Sequence, residues 1–250
     1  MSLRSTFGAV RKHILCSLHR RIVPLGNGGP YVSVTFDDFP RSAYTVGGSI
    51  LKNYGLRGTY YIAMGLMNTS NELGDHFRME DLHSAANEGH ELASHTFSHR
   101  SSRAVSCAAF RDDVRKGWSA IREMGGQAPT RNFAFPRGEV TLSAKRALGK
   151  EMMSCRGAYG GVNGPYVDLN LLLANSLYGD PDDLDGVAQL IRDNEKRKGW
   201  LIFYTHDVSP APSRFGCSPR FLDSTVRMAA QSGAKVLPIV EVLARILRGK

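Results

Sequence analysis

The sequence has no uninterrupted apolar run near the roughly 20 residues that a membrane-spanning helix needs. It also has no collagenous repeat, no heptad pattern and no low-complexity stretch, which excludes fibrous and disordered classes. Cysteine is sparse. Cys16, Cys107, Cys155 and Cys217 lie far apart and form no CxxC pair, so they read as free thiols in a reducing compartment rather than a disulfide framework. Acidic residues are missing from residues 1–23, which carry Arg4, Arg11, Lys12, Arg20 and Arg21. With Arg245, Arg248 and Lys250 at the other end, much of the formal net charge of +9 sits at the termini. A basic excess suits nucleic acid or an anionic surface, but no nucleic-acid motif and no aromatic residues interleaved with basic ones accompany it, which argues against a nucleic-acid reader. The basic N-terminus shows no apolar core and no small-residue cleavage site, so no secretory signal is expected and the expected location is the cytoplasm.

What is present is 250 residues, 42% hydrophobic and 22% charged, ample for one α/β domain with a sizeable core. Residues 5–23 can be drawn as a helix with Phe7, Val10, Ile14, Leu15 and Leu18 on one side and basic residues on the other. It reads as a helix packed outside the body, or as an interfacial helix on anionic lipid. The glycine-rich run Gly26-Asn27-Gly28-Gly29-Pro30 then breaks the chain, which divides it into a basic helical segment (1–29) and a folded body (30–250). Strand-like and helix-like segments alternate in that body. Strands are predicted at Tyr31–Phe36, Gly58–Ala63, Glu91–Ser94, Asn132–Phe135, Asn170–Asn175, Trp200–Thr205 and Lys235–Leu237. Helices are predicted at Arg41–Tyr54, Met79–Glu88, Ser106–Glu123, Thr141–Leu148, Asp182–Lys198, Phe221–Ser232 and Val240–Arg248. Repeated β-then-α order argues a parallel sheet wound by helices, and apolar strands without alternation suit strands buried on both faces.

The polar residues that need explaining fall at the carboxyl ends of these strands. Asp37-Asp38 follows YVSVTF, His95 follows ELAS, Pro136-Arg137-Gly138 follows NFAF, and His206-Asp207 follows LIFYT. In α/β barrels and open α/β sheets that edge carries the active site. His95 and His99 are four residues apart, so one helical turn would put both imidazoles on one face. An isolated HxxxH is more often a surface pair, and adjacent acids more often begin a loop or cap a helix. Together, two histidines and one carboxylate make a three-ligand set that leaves metal positions open. The other acid of the pair is then free to act as a general base, and His206 as a general acid toward a leaving amine. His76, His83 and His90 read as structural, and Tyr60-Tyr61 as core.

With Thr35-Phe36-Asp37-Asp38, the SHTFSH segment around His95 and His99, FAFPRG, and the strand ending in His206, the chain resembles the NodB-homology polysaccharide deacetylases, carbohydrate esterase family 4, over roughly residues 31–240. The resemblance implies an α/β fold, a distorted and incomplete (β/α) barrel. It implies Asp37 as general base, Asp38, His95 and His99 as ligands of a divalent ion, usually zinc with cobalt or nickel as alternatives, and His206 as general acid. The implied reaction is hydrolysis of an N-acetyl group on a sugar, releasing acetate. Its alternatives are an O-acetyl esterase or deformylase on a sugar, or a sugar-binding homologue without turnover. Pro136, Arg137 and Tyr204 fall at motif positions implied to contact substrate. Three departures stand out: Ala134 occupies the position of the family's motif arginine, Arg137 that of an aromatic residue, and Tyr204 that of a leucine. Arg131 and Arg137 are the candidates to replace the arginine, and Asp168 and Asp180 the candidates for an aspartate that orients His206. The expected partner is an acetylated saccharide, a lipid-linked one included. A peripheral contact of residues 4–21 with anionic membrane would then place the protein at the inner face.

Overall fold

The computed structural model describes residues 12–124, 130–182 and 184–247. Eight parallel strands form one curled sheet: β1 (Tyr31–Asp37), β2 (Thr59–Ile62), β3 (Glu91–Ser94), β4 (Asn132–Ala134), β5 (Ser154–Arg156), β6 (Asn175–Ser176), β7 (Trp200–Thr205) and β8 (Lys235–Val236). The lateral order is β6-β7-β1-β2-β3-β4-β5, with β8 beside the start of β1. Every residue of β1 to β5 is buried, the state expected of apolar strands covered by helices on one side and packed against one another on the other. The covering helices are α1 (Ser49–Asn53), α2 (Met79–Asn87), α3 (Cys107–Met124), α4 (Leu142–Leu148), α5 (Asp185–Arg197), α6 (Pro219–Gln231) and α7 (Ile239–Leu247). This is the distorted (β/α) barrel that the sequence predicts. No helix among the described residues is long and apolar enough to cross a membrane.

Three stretches differ from expectation. The helix expected over 41–54 is π-helical at Ala43–Gly48 and α-helical only in α1. Gly47 lies so close to β1 that a Cβ there would meet Phe36 Cε1 at 2.9 Å, so the chain hugs the strand through a wider turn. The strand expected over 170–175 is reduced to β6. Residues 169–172 instead run along β5, with Cys155 N donating to Leu169 O and Leu172 N to Cys155 O, both at 2.8 Å. This irregular stretch spans the gap between β5 and β6 and makes the barrel incomplete. At the N-terminus the helix expected over 5–23 continues only to residue 17, and residues 1–11, with Phe7 and Val10, lie outside the described residues. His19 is left-handed (φ 49°), and Ile22–Pro24 pairs antiparallel with Tyr166–Asp168. Arg21 fastens this crossing: its backbone N–H donates to Asp168 Oδ1 at 2.9 Å and its guanidinium to Met152 O at 2.8 Å. Of the apolar stripe, Leu15 is buried in the core while Ile14 and Leu18 are exposed.

One end of the barrel is shut by a buried carboxylate. Glu91, at the start of β3, accepts from Thr59 Oγ1 (2.8 Å), Thr130 Oγ1 (2.5 Å), Asn132 Nδ2 (3.2 Å) and the Val240 N–H (2.9 Å) in the first turn of α7. A carboxylate so placed meets the positive end of that helix. The opposite, carboxyl edge of the strands is left to hold the chemistry.

Candidate metal centre and active site

β1 runs out at Asp37, and the next two residues, Asp38 (φ 64°) and Phe39 (φ 56°), are both left-handed. This sharp turn sends the two neighbouring carboxylates to different partners. The chain after β3 turns in the same manner. Thr96 (φ 68°) and His99 (φ 52°) are left-handed and the segment is not helical, so His95 and His99 converge through a tight loop and not through the expected helical turn. α3 braces that loop: Phe97 N donates to Asp113 O at 3.0 Å, and Ser98 Oγ and N donate to the Asp113 carboxylate at 2.9 and 3.1 Å. The close approach depends on Gly117, where a Cβ would stand 2.5 Å from the backbone of Thr96. Backbone cannot yield as a flexible side chain can. Gly117→Ala is therefore expected to cost about 1–3 kcal/mol and to weaken metal binding along with stability. Unfolding in urea beside zinc titration of the same variant checks both.

His99 Nε2 lies 3.1 Å and His95 Nε2 3.5 Å from Asp38 Oδ1. Two donors each about 2.1 Å from a tetrahedral zinc stand about 3.4 Å apart, so these spacings fit one ion. His95 Nδ1 donates to Ala134 O at 2.8 Å, which leaves the Nε2 lone pair facing Asp38. His95 Nε2 and Asp38 Oδ1 are buried with no hydrogen-bond partner. Burial pushes the His95 imidazole down to about 3 and, with Arg137 nearby, lowers His99 as well, so both rings are neutral and able to ligate. Burial pushes the Asp38 carboxyl up to about 7 against the pull of His206. Two neutral imidazoles and a strained carboxylate with orphaned polar atoms are a donor set that a divalent cation would complete. Beneath them lies His76, buried, its Nδ1 donating to the backbone carbonyl of Asp38 at 3.3 Å; it supports the turn that presents this ligand.

Asp37 pairs with neither expected arginine. Its carboxylate takes both contacts from Arg156, at 2.5 and 2.6 Å from one guanidinium nitrogen. Arg156 ends β5 and sits in direct register with Ala134 on β4, so the cation reaches the aspartate from one strand over, past a residue small enough to let it through. Its guanidinium lies between the rings of Tyr61 (4.8 Å) and Tyr204 (5.0 Å), a favourable arrangement for a buried cation. This accounts for an aromatic side chain at 204. Arg131 instead lies over Trp118, and Arg137 stands at the rim of the cavity. Burial alone would raise the Asp37 carboxyl, but the Arg156 guanidinium outweighs it and holds it below the usual carboxylate range.

His206 follows β7 with Nε2 4.0 Å from Asp38 Oδ2. Its Nδ1 donates to the carbonyl of Phe215 at 3.1 Å, which fixes the tautomer and turns Nε2 into the site. Among the described residues no carboxylate binds its Nδ1. Asp168 pairs with Lys145 (2.7 Å), Asp180 is bound by Ser218 and Arg220, and Asp207 faces away to accept from Ser213 N and Oγ at 2.8 and 2.5 Å. Asp207 thereby holds the loop that carries Phe215. A cavity of about 610 Å³ opens over these groups; Asp37, Asp38, His99, His206, Arg137 and Tyr204 all line it, whereas Pro136 is buried beneath the rim.

A family model described as polysaccharide deacetylase matches residues 26–154. No curated protein matches the chain. Among solved structures, a protein from Mycobacterium smegmatis described as a polysaccharide deacetylase shares 17% identity at a TM-score of 0.62, covering 90% of this chain and 92% of its own. A family 4 acetyl xylan esterase from Clostridium thermocellum, solved with a cobalt ion, shares 19% identity at 0.55, covering 86% and 91%. The peptidoglycan deacetylase PdaC from Bacillus subtilis shares 16% at 0.53, covering 89% and 93%. At these identities the likeness is one of fold.

Proposed function

The chain belongs to the polysaccharide deacetylase family, whose members remove acetyl groups from sugars, and from that premise we propose that it is a divalent-metal-dependent hydrolase that removes an N-acetyl group from a saccharide and releases acetate. The observation that carries the reading is the convergence of Asp38 Oδ1, His95 Nε2 and His99 Nε2, two of them buried and unpartnered, beside an ion-paired Asp37 on the floor of the cavity. A divalent ion held there, with zinc, cobalt or nickel all suited to the donor set, would polarise the acetyl carbonyl and acidify a water.

Asp37 takes a proton from the attacking water as the water oxygen bonds to the acetyl carbon. Arg156 keeps the carboxylate ionised and aimed. His206 acts in its doubly protonated form: with Nδ1–H held by the Phe215 carbonyl, it gives the proton on Nε2 to the sugar nitrogen as the C–N bond breaks and is left as the neutral Nδ1–H tautomer, so the products are acetate and a free amine. A positioned acid favours the amide, because an amine leaves poorly unless protonated.

The test is acetate release from matched N-acetyl and O-acetyl sugars by zinc-loaded protein. Release from the amide at about tenfold or more the rate from the ester is expected from the acid's role. A chelator should stop it and added zinc restore it. Faster ester cleavage would make the protein an esterase; metal uptake without acetate from any sugar of the panel would favour a binding protein.

A further inference from the structure

Two of the cavity's carboxylates are each matched by an arginine, which leaves Asp38 and Arg137. Asp37 is neutralised by Arg156. Asp38 belongs to the ion site. Glu72, on the far wall, stands 3.8 Å from Arg214, which also lies over the Phe215 ring. Arg137 is exposed on the cavity wall and makes no hydrogen bond or ion pair among the described residues. Its backbone is left-handed (φ 58°, ψ 14°), an arrangement costly for any residue with a Cβ. The following Gly138 is left-handed too, and a Cβ there would fall 2.4 Å from that of Ala158, so the turn is clamped against the neighbouring wall. The fold thus holds a strained arginine in place and gives its guanidinium no hydrogen bond or ion pair among the described residues, only the more distant charge of Asp38. Strain without a local partner at a cavity wall is the signature of a group kept for a ligand.

We infer that Arg137 receives an anionic substituent, a carboxylate or a phosphate, carried by the acetylated saccharide. The inference rests on the deacetylase reading of this cavity and extends it to the class of sugar taken. A planar guanidinium with five donors matches either oxyanion in a two-point contact, which a neutral hydroxyl cannot supply. A bound divalent ion would add positive charge to the same wall and strengthen the preference for an anion.

Calorimetric titration of the zinc-loaded protein with N-acetylglucosamine, N-acetylglucosamine 1-phosphate and N-acetylmuramic acid tests this. At low salt, at least one charged sugar is expected to bind about tenfold more tightly than the neutral one, in keeping with one charge-assisted contact. Whether the phosphate or the carboxylate holds that advantage identifies the source of the charge. Arg137→Gln should bring the ratio close to one, and Arg137→Lys, which keeps the charge but not the two-point contact, should keep only part of it. Lys150→Gln, which removes the same charge far from the cavity, should leave the ratio as it is. Equal binding of all three sugars, no binding by either charged sugar, or an advantage that survives Arg137→Gln would overturn the inference. Acetate release from the neutral sugar is scored separately and bears on the hydrolase reading alone.

Discussion

Asp37→Asn is expected to lower acetate release by about 10²- to 10⁴-fold, the range of a lost general base, and Arg156→Gln to move the acid limb of the pH–rate profile to higher pH. Both follow from one buried pair. Arg156 and Asp37 are almost wholly enclosed, their side chains 1% and 7% exposed. Burial pushes the carboxyl up and the guanidinium overrides it. With glutamine at 156 the main charge that opposes burial is gone, and Asp37 stays protonated to a higher pH. The sign for stability runs the same way. The folded carboxyl lies below its unfolded value, so the pair's contribution is fully present above about pH 4 and disappears as pH falls through the folded value. Breaking one side of a buried pair costs about 3–5 kcal/mol, because the other charge is stranded. Asp37→Asn/Arg156→Gln strands nothing and should be more stable than Arg156→Gln alone. Rate profiles on the folded fraction, beside urea unfolding of the singles and the double, decide it. An acid limb that stays in place in Arg156→Gln would show that some other group holds Asp37.

The strand ends were legible because each is an apolar, β-branched or aromatic run that stops at a polar residue. Period and composition therefore place Asp37, His95 and His206 on one edge without coordinates. Arg156 was not legible. Its strand is three residues long, has no alternation to detect, and follows a helix through a short turn. Its function depends on lateral register with Ala134, a relation no linear pattern carries. One signal did exist: a strand was needed in the long stretch after α4, and Ser-Cys-Arg ends there on the kind of polar residue that the other strand ends carry. His206 shows a different limit. The group that orients it is a main-chain carbonyl, and a carbonyl belongs to every residue, so searching for an aspartate pointed to Asp168 and Asp180, which are engaged elsewhere. His95 and His99 were paired by an assumed helical turn. The chain brings them together through left-handed residues braced by α3, so the two side chains converge by a geometry other than the expected one.

Asp38, the proposed ligand, should be a liability to the metal-free fold. Asp38→Asn is expected to raise the stability of metal-free protein at about pH 8 while abolishing zinc binding. Asp38 is buried beside Asp37, its Oδ1 accepts no hydrogen bond, and its carboxyl is pushed up to about 7 from an ordinary 3.8. Ionising it without a cation then costs on the order of 4 kcal/mol. Because the folded value lies above the unfolded one, that cost is absent below about pH 4, grows as pH rises, and is complete above about pH 7. Wild-type protein in chelator should lose stability across that window. The asparagine variant, which has nothing to ionise there, should lose less and finish the more stable of the two. Zinc closes the gap and at higher concentration reverses the order, because a ligand at a thousand times its Kd adds about 4 kcal/mol to the state that binds it and each further tenfold about 1.4 kcal/mol more, and only the wild type retains the carboxylate. Urea unfolding at about pH 5 and pH 8, with chelator and with zinc, reads all four states. If Asp38→Asn is the less stable protein at pH 8 in chelator, the carboxylate is satisfied by the protein itself. The argument that its orphaned oxygen awaits an ion then falls.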